Sequence, residues 1–119
     1  MALLARRDIT IDQGATFSWH LRWKDASGSY YDLTGWTAAM QVREEFASAT
    51  TLASLTTNPG GGITLSSTGD IEIEIPAATT AGLPAPKKAV YDLKLTSPGG
   101  KVYRFAEGTC RISPGVTHG

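Results

Sequence analysis

The sequence is poor in the features that mark membrane, secreted or nucleic-acid-binding proteins. Its single cysteine, Cys110, has no partner for an internal disulfide, so we expect synthesis and folding in a reducing cytoplasm. No apolar run approaches the roughly 20 residues of a membrane span, and residues 1–7 are too short for a signal peptide. Eleven basic and eleven acidic residues leave a formal net charge of zero, whereas nucleic acid binding usually needs a basic face. We therefore expect neither a membrane nor a nucleic acid as a partner.

Alternation of apolar and polar residues is the main signal that the chain does carry. It is cleanest in residues 16–23, where Phe17, Trp19 and Leu21 share one face, and it predicts a core strand there. Residues 91–95 and 101–105 also alternate, and the Pro-Gly-Gly turn between them predicts a hairpin. Residues 63–65 and 71–75 predict a second hairpin. These patterns indicate antiparallel β-structure.

The remaining segments complete the predicted fold. Residues 8–12, 36–43, 50–55 and 108–113 are further strand candidates, and residues 77–83 predict one helical turn that crosses between sheets. Together they predict an all-β fold, an immunoglobulin-like antiparallel two-sheet β-sandwich of about seven or eight short strands. Residues 1–7 form an N-terminal arm and residues 8–117 a single domain in this prediction. The predicted core consists of Phe17, Trp19, Leu21, Met40, Ile73, Leu93 and Leu95.

The titratable side chains form no catalytic or metal-binding pattern. His20 stands alone on the polar face of its strand, without the nucleophile and carboxylate that a catalytic histidine needs. Cys110 is in phase with Ile112 and is interpreted as a small buried hydrophobe. Asp70, Glu72 and Glu74 make an acidic stripe that we interpret as the wet face of a strand, since calcium sites usually gather loop oxygens as well. We expect no enzymatic activity, cofactor or metal.

Two groups of residues are candidates for binding a partner. Tyr30 and Tyr31, with Trp36, could stack on a sugar, although sandwich packing is the simpler interpretation of two aromatic residues beside a turn. In the arm, Leu3 and Leu4 have little to bury against and precede Arg6 and Arg7. The arm is either a frayed terminus or a segment that docks on a neighbouring subunit, with the leucines in an apolar groove or along a sheet edge and the arginines on carboxylates.

Several segments in order resemble a known group of proteins. They are DITIDQGATF at 8–17, WKDASG at 23–28, DLTGWTAAMQVR at 32–43, GDIEIEIP at 69–76, YDLKLTSPGG at 91–100, EGT at 107–109 and ISPGVT at 112–117. The chain resembles the small β-sandwich structural proteins of tailed bacteriophages. It is similar to the N-terminal domain of phage upper baseplate proteins and to sandwich domains of fibre and neck components.

This resemblance implies a function that the side chains do not. It implies a virion protein without catalytic residues, made in the bacterial cytoplasm, that acts as an adaptor or attachment subunit in the tail, baseplate or neck. Other virion proteins are then the expected partners, and a homo-oligomer or symmetric assembly is expected because closed symmetry is usual for identical subunits. The alternatives are a carbohydrate- or host-surface-binding module and a capsid decoration protein.

Overall fold

The computed structural model describes residues 5–45, 47, 51–85 and 87–115. These residues form nine strands and one short helix. The strands are β1 (Ala5–Arg6), β2 (Ile9–Asp12), β3 (Phe17–Arg22), β4 (Thr37–Arg43), β5 (Thr51–Thr56), β6 (Ile63–Leu65), β7 (Asp70–Ile75), β8 (Lys87–Thr96) and β9 (Val102–Ser113), and the helix is α1 (Ala77–Thr80). No helix in these ranges is long and apolar enough to cross a membrane.

The strands form two sheets, as the alternating pattern predicts. The large sheet has the order β1-β9-β8-β4-β5, with β2 also paired to β9, and the small sheet has the order β3-β7-β6. The predicted hairpins are β8/β9 and β6/β7, and both are confirmed. The helical turn α1 connects β7 of the small sheet to β8 of the large one, where it was expected. The all-β prediction is therefore correct at the level of two sheets.

The prediction of purely antiparallel pairing is wrong at one edge. Both β1 and β2 run parallel to β9, with Ala5 opposite Ala106 and Ile9 opposite Cys110. The end of the predicted arm thus pairs with the C-terminal strand, and Arg7 N donates to Glu107 O at 3.0 Å. Leu3 and Leu4 lie outside the described residues.

One apolar cluster joins the two sheets. Its fully buried members include Met40, Leu93 and Leu95 from the large sheet and Ile71 and Ile73 from the small sheet. The predicted core positions Met40, Ile73, Leu93 and Leu95 are confirmed, because each is at most 1% exposed. Burial of this apolar surface is the main stabilising contribution to the fold.

The strand with the cleanest alternation is not a central core strand. β3 lies at an edge of the small sheet, and Phe17, Trp19 and Leu21 are only half-buried, although they pack against the core cluster. The prediction that these three side chains are fully inside is therefore wrong. Their periodicity correctly identified the face that points inward, but a half-buried edge strand has the same period of two as a central one.

Candidate interaction surface

The free side of β3 is an open strand edge of the described structure with a partly apolar character. On one side β3 pairs with β7 along its whole length, from Phe17 opposite Ile75 to Arg22 opposite Asp70. On its other side, none of the described strands pairs with it. A strand edge of this kind presents unpaired N–H and C=O groups, which other extended chains can use.

The hydrogen bonds at the strand ends identify which amides face the open side. Trp23 N donates to Gly69 O at 2.9 Å, and Glu74 N donates to Gly62 O on the far side of β7. The backbone N–H and C=O groups of successive residues point to alternate sides of an antiparallel strand. Because Trp23 bonds to Gly69 at the end of the β3–β7 pairing, the odd-numbered residues of β3 bond to β7. The N–H and C=O groups of Ser18, His20 and Arg22 therefore point away from β7, toward the open edge.

The apolar row of β3 consists of Phe17, Trp19 and Leu21, and these side chains remain partly exposed to solvent. The isoleucines of the neighbouring strand, Ile71, Ile73 and Ile75, are at most 2% exposed, whereas Trp19 and its neighbours in the row remain half-buried. Between the two sheets, the Trp19 ring meets the Tyr91 ring edge-on at 5.8 Å between centroids. An additional strand beside β3 would bury the remaining surface of this row.

Tyr91 connects this edge to the N-terminal strands. Its hydroxyl donates to the carbonyl of Arg7, and burial, followed by the charge of Asp8, raises the pKa of Tyr91 to about 12. The pairing of Tyr91 with Gly108 matters here, because a Cβ at Gly108 would overlap the Arg7 carbonyl. Through the Trp19 ring, β3 therefore adjoins the contact between β8 and the chain that leads into β2.

On the outer face of the small sheet, a network around Asp70 fixes the polar side chains of β3. His20 Nε2 lies 2.8 Å from Asp70 Oδ1, and Arg22 Nε donates to the same oxygen at 2.7 Å. Ser66 and Thr68 hydroxyls donate to Asp70 Oδ2 at 2.8 Å and 2.7 Å. These donors, Arg22 first, hold the pKa of Asp70 well below its ordinary range.

This network corrects the interpretation of His20 as an isolated residue, but it does not resemble a catalytic triad. Asp70 stands between Ser66 and His20, so the hydroxyl contacts the carboxylate instead of the imidazole. A triad needs the histidine next to the nucleophile. Within the described ranges, no group of three or more His, Cys, Asp or Glu side chains is arranged to hold a metal ion. Cys110 is fully buried as predicted, and burial raises its pKa to about 11.

The three aromatic residues of the sugar-stacking alternative do not share one surface. Tyr31 stacks on the buried Trp23 with 4.3 Å between ring centroids, and Trp36 meets Trp23 edge-on at 5.5 Å. Tyr30 faces the other way, where Arg22 and Lys24 lie 5.1 Å and 5.0 Å from its ring centroid. Successive residues of an extended chain point to opposite sides, which explains this separation.

An open groove lies beside Trp36. It measures about 500 Å³ and lies between residues 33–36 and residues 57–67. Trp36 is the only aromatic side chain among the described residues that line it. Tyr30 and Tyr31 do not contribute to the groove, so it offers a sugar one aromatic face instead of the three that the sugar-stacking alternative considered.

The last residues of the predicted arm, which are the part of it that the structure describes, contact the C-terminal strand β9. Arg6 pairs with Glu107 opposite it, with 3.8 Å between Nη1 and Oε2, and Arg104 Nη1 lies 3.2 Å from the other oxygen of Glu107. Arg6 therefore meets a carboxylate of its own chain. Reasoning from the sequence did not predict the open edge of β3, because apolar–polar alternation is the same in an edge strand and in a central strand. The only signal in the sequence was the unusually aromatic inward-facing row of this strand, which contains Phe17 and Trp19.

Neither the known family models nor the curated protein sequences gave a match to this chain.

Proposed function

We propose that the chain is a non-enzymatic structural subunit that works through protein–protein contacts. The observation that carries this proposal is the open edge of β3. The outward-pointing backbone groups of Ser18, His20 and Arg22 lie there beside the half-buried apolar row of the same strand. Binding of an extended segment to such an edge combines main-chain hydrogen bonds with burial of alternate side chains.

The setting that we propose is the virion of a tailed bacteriophage, with the chain as an adaptor or attachment subunit in the tail, baseplate or neck. The support for this setting is the resemblance of the sequence segments from residue 8 to residue 117 to phage sandwich proteins. The net charge of zero agrees with it, because a near-neutral surface repels neighbouring subunits weakly. Other virion proteins are the partners in this proposal, in a symmetric assembly.

We also propose that the two sheets form an immunoglobulin-like sandwich. In such sandwiches one sheet holds strands A, B, E and D, and the other holds C, F and G with additions beside C. If β3 is strand B, the order β3-β7-β6 corresponds to B-E-D, and β9-β8-β4-β5 corresponds to G, F, C and one addition. The first strand lies beside β9 instead of β3, so the position of strand A beside β3 is open.

Purified particles provide the test of this function. We expect quantitative mass spectrometry of density-purified virions to detect the chain at a fixed copy number per particle, and partial disassembly to release it with the tail, baseplate or neck. Release with the capsid shell would instead favour the decoration alternative. Absence from particles would contradict the virion proposal. Saturable binding on a glycan array, lost in a Trp36→Ala variant, would favour the carbohydrate alternative.

A further inference from the structure

We propose that copies of this chain associate head to tail, with the outer face of the large sheet of one copy against the outer face of the small sheet of the next. The contact joins a basic pair on the large sheet, Lys88 and Arg111, to an acidic pair on the small sheet, Glu72 and Glu74. Both pairs are separate from the open edge of β3. The inference rests on the proposed function, because it specifies how copies meet in the symmetric assembly.

The first argument is that the two sheets differ in charge, although the chain as a whole is neutral. The strands of the large sheet contain seven basic and three acidic residues, whereas the strands of the small sheet contain one basic and three acidic residues. None of these charged side chains is buried. Because the inward faces of both sheets share one apolar cluster, each chain presents a basic outer face and an acidic one.

The second argument is that the acidic pair has no cation of its own. Asp70 contacts Arg22 and His20 at 2.7 Å and 2.8 Å, which leaves these two side chains occupied. Glu72 and Glu74 are exposed on the same face of β7, and neither forms an ion pair with a described residue. The outer face of the small sheet therefore offers two carboxylates to an external partner.

The third argument is that the basic pair has no acid of its own. Lys88 and Arg111 lie directly opposite each other on β8 and β9, both are exposed, and neither forms an ion pair with a described residue. Like charges in this arrangement destabilise a strand pair. Hydrogen bonds from Thr109 lower the pKa of the nearby Asp8 more than the charge of Lys88 does. Carboxylates from outside would therefore relieve the repulsion.

The two pairs also match in number and spacing. Alternate residues of a strand, such as Glu72 and Glu74, have Cα atoms about 6.5–7 Å apart. Directly opposite residues of antiparallel strands have Cα atoms about 4.5–5.5 Å apart, and the long stems of lysine and arginine span the difference. An open hollow of about 460 Å³ beside Lys88, Thr109 and Arg111 leaves room for the carboxylates. Each carboxylate can therefore meet one cation.

A second copy is the partner that these observations favour. Every chain supplies one acidic pair and one basic pair, so the two faces are complementary in equal numbers, whereas an unrelated partner would use only one of them. A contact between two different faces is heterologous, so each copy can bind two others. Repetition of the contact gives a ring if the rotation between copies closes and an open stack if it does not.

Sedimentation equilibrium of the full chain over a range of concentrations tests the contact. We expect reversible association at low ionic strength that weakens as salt is added. Arg111→Glu should weaken association by at least about tenfold, because it places a carboxylate against the acidic pair. Lys101→Glu is the matched control, since it changes the net charge equally in the turn after β8, and it should have little effect. A wild-type chain that stays monomeric at about 1 mM, or equal effects of both substitutions, would overturn the proposal.

Exchanging the charges identifies the faces. The double variant Glu72→Lys, Glu74→Lys has basic pairs on both faces, and Lys88→Glu, Arg111→Glu has acidic pairs on both. We expect neither variant to associate alone and their mixture to associate. A chain with all four substitutions keeps the wild-type net charge with its faces exchanged, so it should associate with itself. If that chain is folded but monomeric, the pairing of these two faces is wrong.

Circular dichroism confirms that each variant is folded. If the lysine substitutions on β7 prevent folding, Glu72→Gln with Glu74→Gln replaces them, and weaker association is expected. Association as tight as that of the wild-type chain would show that the acidic pair is outside the contact, which contradicts the proposal. If the charge variants associate normally and Ser18→Pro prevents association, copies pair through the β3 edge and the proposal is wrong. The test on purified virions does not depend on these results, so failure of this inference is distinguishable from failure of the proposed function.

Discussion

Truncating Trp23 and Trp19 separately should distinguish the core from the edge. Trp23 is 6% exposed and its ring contacts four others, at centroid distances of 4.3 Å to Tyr31, 5.3 Å to Phe105, 5.5 Å to Trp36 and 5.6 Å to Tyr103. Trp19 is half-buried and contacts one ring. We therefore expect Trp23→Ala to be the more damaging substitution.

The expected magnitudes follow from burial. Trp23→Ala removes a buried aromatic side chain, which costs about 3–5 kcal/mol in the free energy of unfolding. Trp19→Ala removes a side chain that still contacts water and a single edge-on ring pair, so its cost should be only about 1–2 kcal/mol. The first value is a large share of the roughly 5–15 kcal/mol that stabilises a typical domain.

Urea denaturation followed by far-ultraviolet circular dichroism measures both values. Dilute protein is needed, so that any association through the β3 edge does not add to the stability of the wild-type chain. An equal slope of the free energy of unfolding against urea concentration in all variants would confirm that unfolding exposes the same amount of surface. If Trp19→Ala costs as much as Trp23→Ala, Trp19 is a core residue, and the description of β3 as an open edge is wrong.

Three further predictions concern charge, thiol reactivity and strand docking. Because the pKa of Asp70 is lowered in the folded chain, its ionised carboxylate stabilises the fold above the ordinary carboxyl pKa of 3.8, and this stabilisation is lost as the pH falls further. Asp70→Asn should therefore lower the melting temperature at neutral pH and have a progressively smaller effect in acid. A melting-temperature difference that stays constant with pH would contradict this. Cys110 should react with a thiol reagent only after unfolding, because it is buried with a raised pKa, and rapid reaction of the native chain would refute its burial. Gly108→Ala should cost about 1–3 kcal/mol and speed hydrogen exchange in β2, because its Cβ would overlap the Arg7 carbonyl. Gly99→Ala, whose nearest neighbour would be 3.9 Å away, is the control, and equal effects would show that docking is not the cause.

Local patterns in the sequence predicted most of the strands and both hairpins. The turn at 97–101 illustrates this, since Ser97 N donates to Lys101 O and Gly100 N to Ser97 O within five residues. Alternation also identified the buried face of β4, where Ala38, Met40 and Val42 are all at most 5% exposed. These features depend on neighbours in sequence, and period-two burial follows directly from strand geometry.

The candidate site could be predicted only in part. Tyr30 and Tyr31 were correctly placed beside a turn, but their opposite directions depend on pairing with Lys24 and Trp23. His20 was correctly assigned to the polar face, whereas its contact with Asp70 joins residues 50 positions apart. Side-chain type and periodicity do not contain this information, because it arises when distant strands pair.

The sequence by itself determined the class of fold, the strand-forming segments and the inward face of each strand. Only the tertiary structure decided the order of the strands, and with it the edge position of β3 and the parallel pairing of β2 with β9, more than 100 residues later in the chain. The physical reason is that alternation specifies which side of a strand avoids water, whereas the neighbour of a strand is selected by packing and hydrogen bonding across the whole chain. The open edge on which the proposed binding depends is a consequence of that selection.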